Sequence, residues 1–391
     1  MTIVWSIRSF LDYRVPVFAR LNDLADGNLH VVFPDTRIPA RVREKIKDEI
    51  GDNAVELSGE KTLGTKNPIS GKANSSWLFT YQPGLSKLIH DLSPDVTVGD
   101  GFGQWSVPLI KRRMFRRTPF VICYERTKHT ERNAQSIRRL YRRQMCQWVD
   151  AACVNGRLTS EYLNEFGISS DRITTGFMAS ESNVAVKAEI LDTQQRQDIR
   201  KQHGLDGKVF LFVGRLVEPK GVFQMLDAWE AFSAESRDDS VTLAMAGDGE
   251  QRQTIEDICK SKKLANVKVL GAIPYDEIHR FYGVSDLLLM PTLEDNWSLV
   301  AAEAMSCGLP VINSKYNGCW PELTHEGKTG WVFDPLDPVN FLGALKTAYQ
   351  HRNQLDAMGD HCKEIVSRYT PESAAQAIYQ ACEIAVKRNC K

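Results

Sequence analysis

Residues 290–313 read MPTLEDNWSLVAAEAMSCGLPVIN, and the rest of the chain is organised around them. The run Asp286-Leu287-Leu288-Leu289-Met290-Pro291 has the composition of a buried strand. A polar loop follows, Thr292-Leu293-Glu294-Asp295-Asn296. Residues 299–305 are good helix formers, with Asn296 or Ser298 placed as the N-cap. Gly308 stands where a left-handed helix stop is wanted, and Leu309-Pro310-Val311-Ile312 opens a second strand. Free amides at 296–299 and the positive end of the helix dipole suit a phosphate or a sugar oxygen. Glu303, one turn in, can accept hydrogen bonds from hydroxyls of the same ligand. An ordinary strand–helix connection with a solvated Glu303 reads the same way, so the surrounding chain has to decide.

Length and composition set the frame. A chain of 391 residues predicts two domains, and 42% apolar with 25% charged residues is ordinary globular usage. Forty-nine cations balance forty-nine acids, so net charge selects no partner. Nine cysteines without a C-x-x-C pair fit reduced thiols better than disulfides or a zinc site. The opening MTIVWSIRSFLDYRVP carries Arg8 and Asp12 early and reads as neither signal peptide nor anchor. No window approaches the roughly 18 apolar residues that span a bilayer.

Both halves alternate strands with helices. In the first, strands are predicted at 2–7, 29–33, 95–98, 119–124 and 151–155, the last clear one, with helices near 15–25, 41–50 and 158–166. Residues 51–75 are polar, glycine-containing and weakly patterned. The second half restarts with strands at 209–213, 241–246 and 267–270 and a helix at 222–232. Such alternation predicts two parallel sheets, with ligands off the carboxyl ends of the strands. The polar stretch 185–203 reads as a connection or a helix on its rim.

Those carboxyl ends carry the chemistry. Gly214-Arg215-Leu216-Val217-Glu218-Pro219-Lys220-Gly221 sets two cations beside a helix start, a fit for a diphosphate. Solvated surface cations are the plain alternative. Gly247-Asp248-Gly249 lacks the third glycine of a dinucleotide fingerprint, and no such fingerprint stands in the first strand–helix turn. In order, GRLVEPKG, AMAGDGEQR, GAIPYDEI, EDNWSLVAAEAMSCGLPVI and EGKTGWVFDP resemble the nucleotide-sugar domain of the GT-B glycosyltransferases. The match is to the large retaining family, glycosyltransferase family 4-like and of bacterial polysaccharide type, and is close over 209–348.

The resemblance implies roles residue by residue. Arg215 and Lys220, with Gly214 beside them, would hold the donor diphosphate and neutralise the leaving nucleotide. Glu303 would accept from the ribose hydroxyls. Asn296, Trp297, Ser298 and Leu299 would meet the sugar and its phosphates, and the backbone from Gly271 to Pro274, Ile273 included, would bracket the base. The family's two acids stand eight positions apart, which puts the first at Asp295. Glu294 is nine away and has the longer reach, so either can touch the transferred sugar.

The first half resembles the family more loosely. Its first loop lacks paired glycines, but Tyr13-Arg14-Val15-Pro16 is similar to a variant of some bacterial members and makes Arg14 a donor-side candidate. Where many relatives place a histidine facing the sugar, this chain has Glu125, with His129 four residues on. Glu125 can orient an acceptor hydroxyl or act as base, or it can simply pair with Arg126 or Lys128.

Charge concentrates nearby. From Lys111 to Arg143 there are twelve Lys or Arg against Glu125 and Glu131, interleaved with apolar and aromatic residues. An anionic membrane surface or an acidic acceptor suits that pattern; no nucleic-acid motif accompanies it. Residues 371–387 carry an apolar stripe, Ala374, Ile378, Ala381 and Ala385, and the family predicts a final helix crossing back to the first domain.

The sequence therefore predicts an α/β GT-B protein: an acceptor-side domain over 1–183, a connection over 184–206, a nucleotide-sugar domain over 207–370 and a returning helix over 371–391. Two Rossmann-like parallel-sheet domains would face a cleft. The expected reaction moves a hexose-type sugar, with retention, from a UDP- or GDP-sugar to a glycan or lipid-linked acceptor in surface polysaccharide or glycolipid synthesis. The donor is a co-substrate, no cofactor is implied, and without a D-x-D triplet no metal is implied either. The expected location is cytoplasmic, with the basic region 111–143 as a contact to the inner leaflet. A nucleotide-sugar epimerase or hydrolase on the same fold, or a non-catalytic sugar-nucleotide-binding protein, is the alternative.

Overall fold

A computed structural model describes residues 1–63, 79–179, 185, 187–188, 191–236 and 241–389. Its contacts divide the chain into two units, Met1–Ala179 with Pro371–Lys391, and Ser180–Thr370.

The first unit is built on β1 (Ile3–Ser6), β2 (Leu29–Pro34), β3 (Ala54–Leu57), β4 (Lys61–Leu63), β5 (Phe79–Tyr81), β6 (Val96–Asp100), β7 (Phe120–Tyr124), β8 (Ala151–Val154) and β9 (Ile173–Thr175). Seven of these form one sheet in the order β3-β2-β1-β6-β7-β8-β9, every pairing parallel, while β4 and β5 pair antiparallel on their own. Strands β1, β7 and β8 are buried at every residue, as continuous apolar runs require when helices cover both faces. The helix Val15–Leu24 starts with Pro16 in its first turn and buries Val15, Val17, Phe18 and Leu21. Trp5 anchors this face, edge-on to Phe18 at 5.1 Å and stacked on Phe177 at 6.3 Å.

Two strands of the seven-stranded sheet were not expected, nor was the separate pair β4 and β5. β3 falls within the weakly patterned stretch 51–75, of which 64–75 lies outside the described residues; β9 follows the strand read as the last clear one. Both are short and stand at the sheet's two edges, where one open side removes the need for a long apolar run.

The C-terminal helix Pro371–Asn389 belongs to this unit, packed on the helix Val15–Leu24 and on β6 to β9. It buries Ala374, Ala375, Ala377, Ile378, Ala381, Cys382 and Ala385, small residues that let a helix lie close on a sheet. Thr174 Oγ1 donates to the Ala377 carbonyl at 2.8 Å, fixing the helix against β9.

The second unit holds β10 (Lys208–Val213), β11 (Val241–Ala246), β12 (Val267–Gly271), β13 (Leu287–Met290), β14 (Val311–Ser314) and β15 (Gly330–Phe333). They form one parallel sheet in the order β12-β11-β10-β13-β14-β15. Phe210, Phe212, Trp229, Phe232, Trp331, Phe333 and Phe341 fill its core. Strand order reverses between β10 and β13, so the loops leaving those two strands lie side by side. A doubly wound sheet offers its ligand crevice at such a reversal.

Part of the expected connection, 184–206, is structure of the second unit. The helix Thr193–His203 opens with a reciprocal capping box between Asp192 and Gln195 and packs on the helix Ile278–Val284. Only Ile199 of its residues is buried, which is why its sequence shows so little apolar period. Residues 184, 186, 189 and 190 of that stretch lie outside the described residues.

Candidate functional site

In the second unit the loop after β10 and the loop after β13 are bonded together. Leu293 N–H donates to the Pro219 carbonyl at 2.9 Å, and Thr292 Oγ1 donates to the same oxygen at 3.2 Å. Gly221 permits this approach: its φ is +69°, and a Cβ there would run into the Pro291 carbonyl. The junction places Lys220 Nζ 2.7 Å from Asp295 Oδ2, both side chains largely shielded. Arg215, four residues after Leu211 in the same strand–loop segment, is exposed and has no ion-pair partner among the described residues. The loop at Gly247 packs under Gly214, since Gly247, with φ +155°, would meet the Gly214 carbonyl through any Cβ. Its glycines serve loop against loop.

Asp295 is locked from several sides. Its Oδ1 accepts from Trp297 N–H at 3.2 Å, and its carbonyl accepts from Gly318 N–H at 3.0 Å. Glu294, next to it, is half-buried, and its carbonyl accepts from Thr292 Oγ1 at 3.2 Å. Ser298, not Asn296, is the N-cap of the helix Leu299–Ser306, its hydroxyl accepting from Ala301 N–H at 3.3 Å. The amides of 296–299 are therefore not all open: that of Trp297 is taken by Asp295. Asn296 Oδ1 is buried with no hydrogen-bond partner among the described residues, a polar atom at the loop that a ligand donor could satisfy. Trp297 is buried, its ring 5.6 Å from that of Tyr369.

Glu303 is buried, and two tyrosines that the sequence reading passed over hold its carboxylate. Tyr275 hydroxyl donates to Oε1 and Tyr282 hydroxyl to Oε2, each at 3.2 Å. Burial, then the Glu303 charge, pushes the Tyr282 phenol well above its ordinary pKa, so it remains a donor. Tyr275 lies in the GAIPYDEI segment and is 60% exposed, a signal that sequence alone contained but did not decode. Gly271 ends β12 with φ +78°, and Ile273, half-buried, follows in the same turn.

The remaining candidates are in the first unit. Arg14 and Glu125 line a cavity of about 780 Å³ there, together with Asp100, Tyr124, Tyr141 and Phe177 among others. His129 is not among the lining residues; its carbonyl accepts from Arg132. Arg14 is only 4% exposed, lies 3.7 Å over the Phe177 ring, and keeps Nε and Nη1 buried without a hydrogen-bond partner among the described residues. Burial raises the Asp100 carboxyl to about 6; Arg14 opposes the shift, and Glu125 adds to it. Trp5 Nε1 donates to Asp100 Oδ1 at 3.1 Å. The cavity rim is braced by Glu60, which accepts a two-pronged bond from Arg8 and single bonds from Arg37 and Trp105. The Arg8 bond, against burial and with Trp105 and Arg37, holds Glu60 down at about 2.

Four of the twelve cations of the region 111–143 are paired with acids of the same unit. Arg126 and Arg142 pair with buried Glu131, Arg113 with Asp150, and Lys128 with Glu165. No helix among the described residues is long and apolar enough to cross a membrane. The eight described cysteines are free thiols.

Residues 195–364 match the family described as glycosyl transferases group 1. Over 201 residues the chain is 30% identical to an uncharacterized glycosyltransferase of Methanocaldococcus jannaschii, covering 50% of each. Over 182 residues it is 27% identical to the D-inositol 3-phosphate glycosyltransferase of Corynebacterium urealyticum, covering 45% of this chain and 43% of that one. The chain spans about half the length of the curated relatives it matches. Among solved structures, Anabaena HepE in complex with UDP superposes with a TM-score of 0.73 over 97% of this chain and 99% of that one, at 16% identity. Sucrose-phosphate synthase of Thermosynechococcus elongatus superposes with a TM-score of 0.65 over 97% and 98%, at 16% identity. The fold is the GT-B fold: two Rossmann-like α/β units, each on a parallel sheet.

Proposed function

We propose that this chain is a glycosyltransferase that moves a hexose-type sugar from a UDP- or GDP-sugar to a glycan or lipid-linked acceptor, with retention of anomeric configuration. The observation that carries this reading is the junction of the two loops at the β10/β13 reversal. It presents Lys220 beside Asp295, on a loop that also carries the exposed Arg215, with Glu303 on the helix that follows. Arg215 forks the diphosphate, and Lys220 shares itself between Asp295 and a phosphate oxygen. As the anomeric carbon–oxygen bond breaks, its electron pair stays on the diphosphate, where the two cations stabilise it. The acceptor oxygen bonds the anomeric carbon and gives its proton to the departing phosphate oxygen. Asp295 or Glu294 contacts the transferred sugar, and Glu303 accepts from the ribose. No further cofactor takes part; the two side chains supply the positive charge that a metal supplies elsewhere.

Support comes from the match over 195–364, from the relatives whose names are those of glycosyltransferases, and from HepE, crystallised with UDP. We place the acceptor in the first unit and the reaction in surface polysaccharide or glycolipid synthesis, at the cytoplasmic face of the membrane. The test is thermal unfolding with UDP, GDP, ADP or CMP, with the Arg215→Ala/Lys220→Ala double variant as control. A nucleotide at about 100 times its dissociation constant adds about 2.7 kcal/mol of stability. A shift with one nucleotide that disappears in the double variant supports the donor site; no shift with any of them removes it.

A further inference from the structure

Three charged side chains line the cavity of the first unit with bonding capacity left over. Arg14 is almost wholly buried over the Phe177 ring, and its Nε and Nη1 have no hydrogen-bond partner among the described residues. Glu125 stands just past the end of β7, where Asn155 Nδ2 and Thr159 Oγ1 donate to its carbonyl at 3.4 and 3.3 Å. The cations next to it are engaged elsewhere, Arg126 with Glu131 and Lys128 with Glu165. Its carboxylate makes no hydrogen bond or ion pair among the described residues. Asp100 ends the neighbouring β6, and among the described residues only Trp5 Nε1 donates to its carboxylate, at Oδ1.

Charge and wall together narrow what fits this cavity. Arg14, Asp100 and Glu125 act on one another electrostatically, one cation shared by two carboxylates. A ligand anion would add a third negative charge to that group. A ligand ammonium would face Arg14 and give its N–H groups nothing to donate to. A neutral group with an acceptor for Arg14 and a donor for a carboxylate meets both needs. Phe102, Trp105, Tyr124 and Phe177 line the same cavity, with Phe102 edge-on to Tyr124 at 5.2 Å. A hydroxyl brings no apolar atom to such a wall, whereas an acetamido group holds a carbonyl oxygen, an N–H and a methyl in one plane.

We propose that the acceptor is an N-acetylated amino sugar whose amide is read by Arg14 and Glu125. The amide carbonyl accepts from Arg14, the amide N–H donates to Glu125, and the methyl lies against the aromatic wall. Asp100 takes a hydroxyl of the same sugar. Arg14 and Glu125 thus determine which acceptor enters and take no part in the bond exchange. This rests on the transferase reading, which supplies the need for an acceptor.

The experiment is titration of the full chain with methyl glycosides, followed by saturation-transfer NMR. In each of the gluco, galacto and manno series, the N-acetylamino sugar is compared with the hexose, the amino sugar and the uronic acid. The N-acetyl glycoside of one series should bind about tenfold more tightly than the others of that series, with its methyl protons the most strongly saturated. Arg14→Met and Glu125→Ala should each remove that preference and leave binding of the hexose little changed. Thermal unfolding checks that both variants fold; Arg14 is buried, so the half-buried Glu125 gives the decisive variant. Glu125→Gln keeps an acceptor oxygen and should restore the preference. A hexose, amino sugar or uronic acid bound as tightly overturns the proposal. So does a preference that survives Glu125→Ala, or no binding by any N-acetyl glycoside. A chain that responds to a nucleotide and shows no N-acetyl preference loses this inference and keeps the donor site; one that shows the preference and binds no nucleotide does the reverse.

Discussion

Lys220 and Asp295 stand 75 residues apart in sequence and form an ion pair of 2.7 Å in the second unit. The pair ties the loop after β10 to the loop after β13, so the cation proposed for a diphosphate and the carboxylate proposed for a sugar are positioned by each other. Lys220→Met leaves a mostly shielded carboxylate without its cation. We expect a loss of about 1–2 kcal/mol in stability, between the values for exposed and buried pairs. Nucleotide affinity should fall about tenfold or more, which is about 1.4 kcal/mol. A cycle with Asp295→Asn, followed by denaturant unfolding and by nucleotide titration, separates the two effects. If Lys220→Met binds nucleotide as the parent does, Lys220 only anchors Asp295.

Glu303 is held by two tyrosines of unequal standing. Tyr282 is fully buried, so Tyr282→Phe leaves Glu303 Oε2 short of a buried donor and should cost about 1–3 kcal/mol in stability. Tyr275 is exposed, and Tyr275→Phe should change stability by no more than about 0.5 kcal/mol. If Glu303 receives the ribose, the Tyr275 hydroxyl competes for Oε1, and Tyr275→Phe tightens nucleotide binding without affecting a 2′,3′-dideoxy nucleotide. Calorimetric titration of the two nucleotides decides. Equal responses would detach Glu303 from the ribose.

The stretch 290–313 was legible because its strand, cap, helix and turn each follow a local rule, and the structure keeps all four: β13, Ser298, Leu299–Ser306 and Gly308 at φ +81°. What stayed hidden depends on partners distant in sequence. Nothing near Asp295 announces Lys220, and nothing near Glu303 announces Tyr282 on the preceding helix. Asp100 stands outside the candidate residues of the sequence, because only folding places Arg14 and Glu125 about it. Local order came from local chemistry; the site came from the sheet reversals that bring its loops together.

Backbone approach between neighbouring loops gives a separate prediction. A Cβ at Gly221 would occupy the position of the Pro291 carbonyl, and one at Gly247 that of the Gly214 carbonyl, at φ values of +69° and +155°. Neither obstacle is a flexible side chain. Gly221→Ala and Gly247→Ala should each destabilise the second unit by about 3 kcal/mol or more, from backbone clash and strain together. Thermal unfolding of each variant measures this, and the open-space variant Gly343→Ala, on a helix, serves as the control. A shift in midpoint no larger than that of Gly343→Ala would show that the loops part without cost.

Asp100 carries the pH dependence. Burial raises its carboxyl from an ordinary 3.8 to about 6, so between these values the folded chain holds a proton that the unfolded chain has released. Stability from this residue is therefore fully present below about 4 and is lost as pH rises through about 6. Asp100→Asn mimics the protonated form. It should match the parent near pH 4 and exceed it by roughly 1–2 kcal/mol at pH 8, with the full linkage value reduced for partial solvent access. Urea unfolding of both proteins across this range gives the difference curve. A gain that is the same at pH 4 and pH 8 would mean that Asp100 is already ionised throughout, and that Arg14 rather than burial governs its proton.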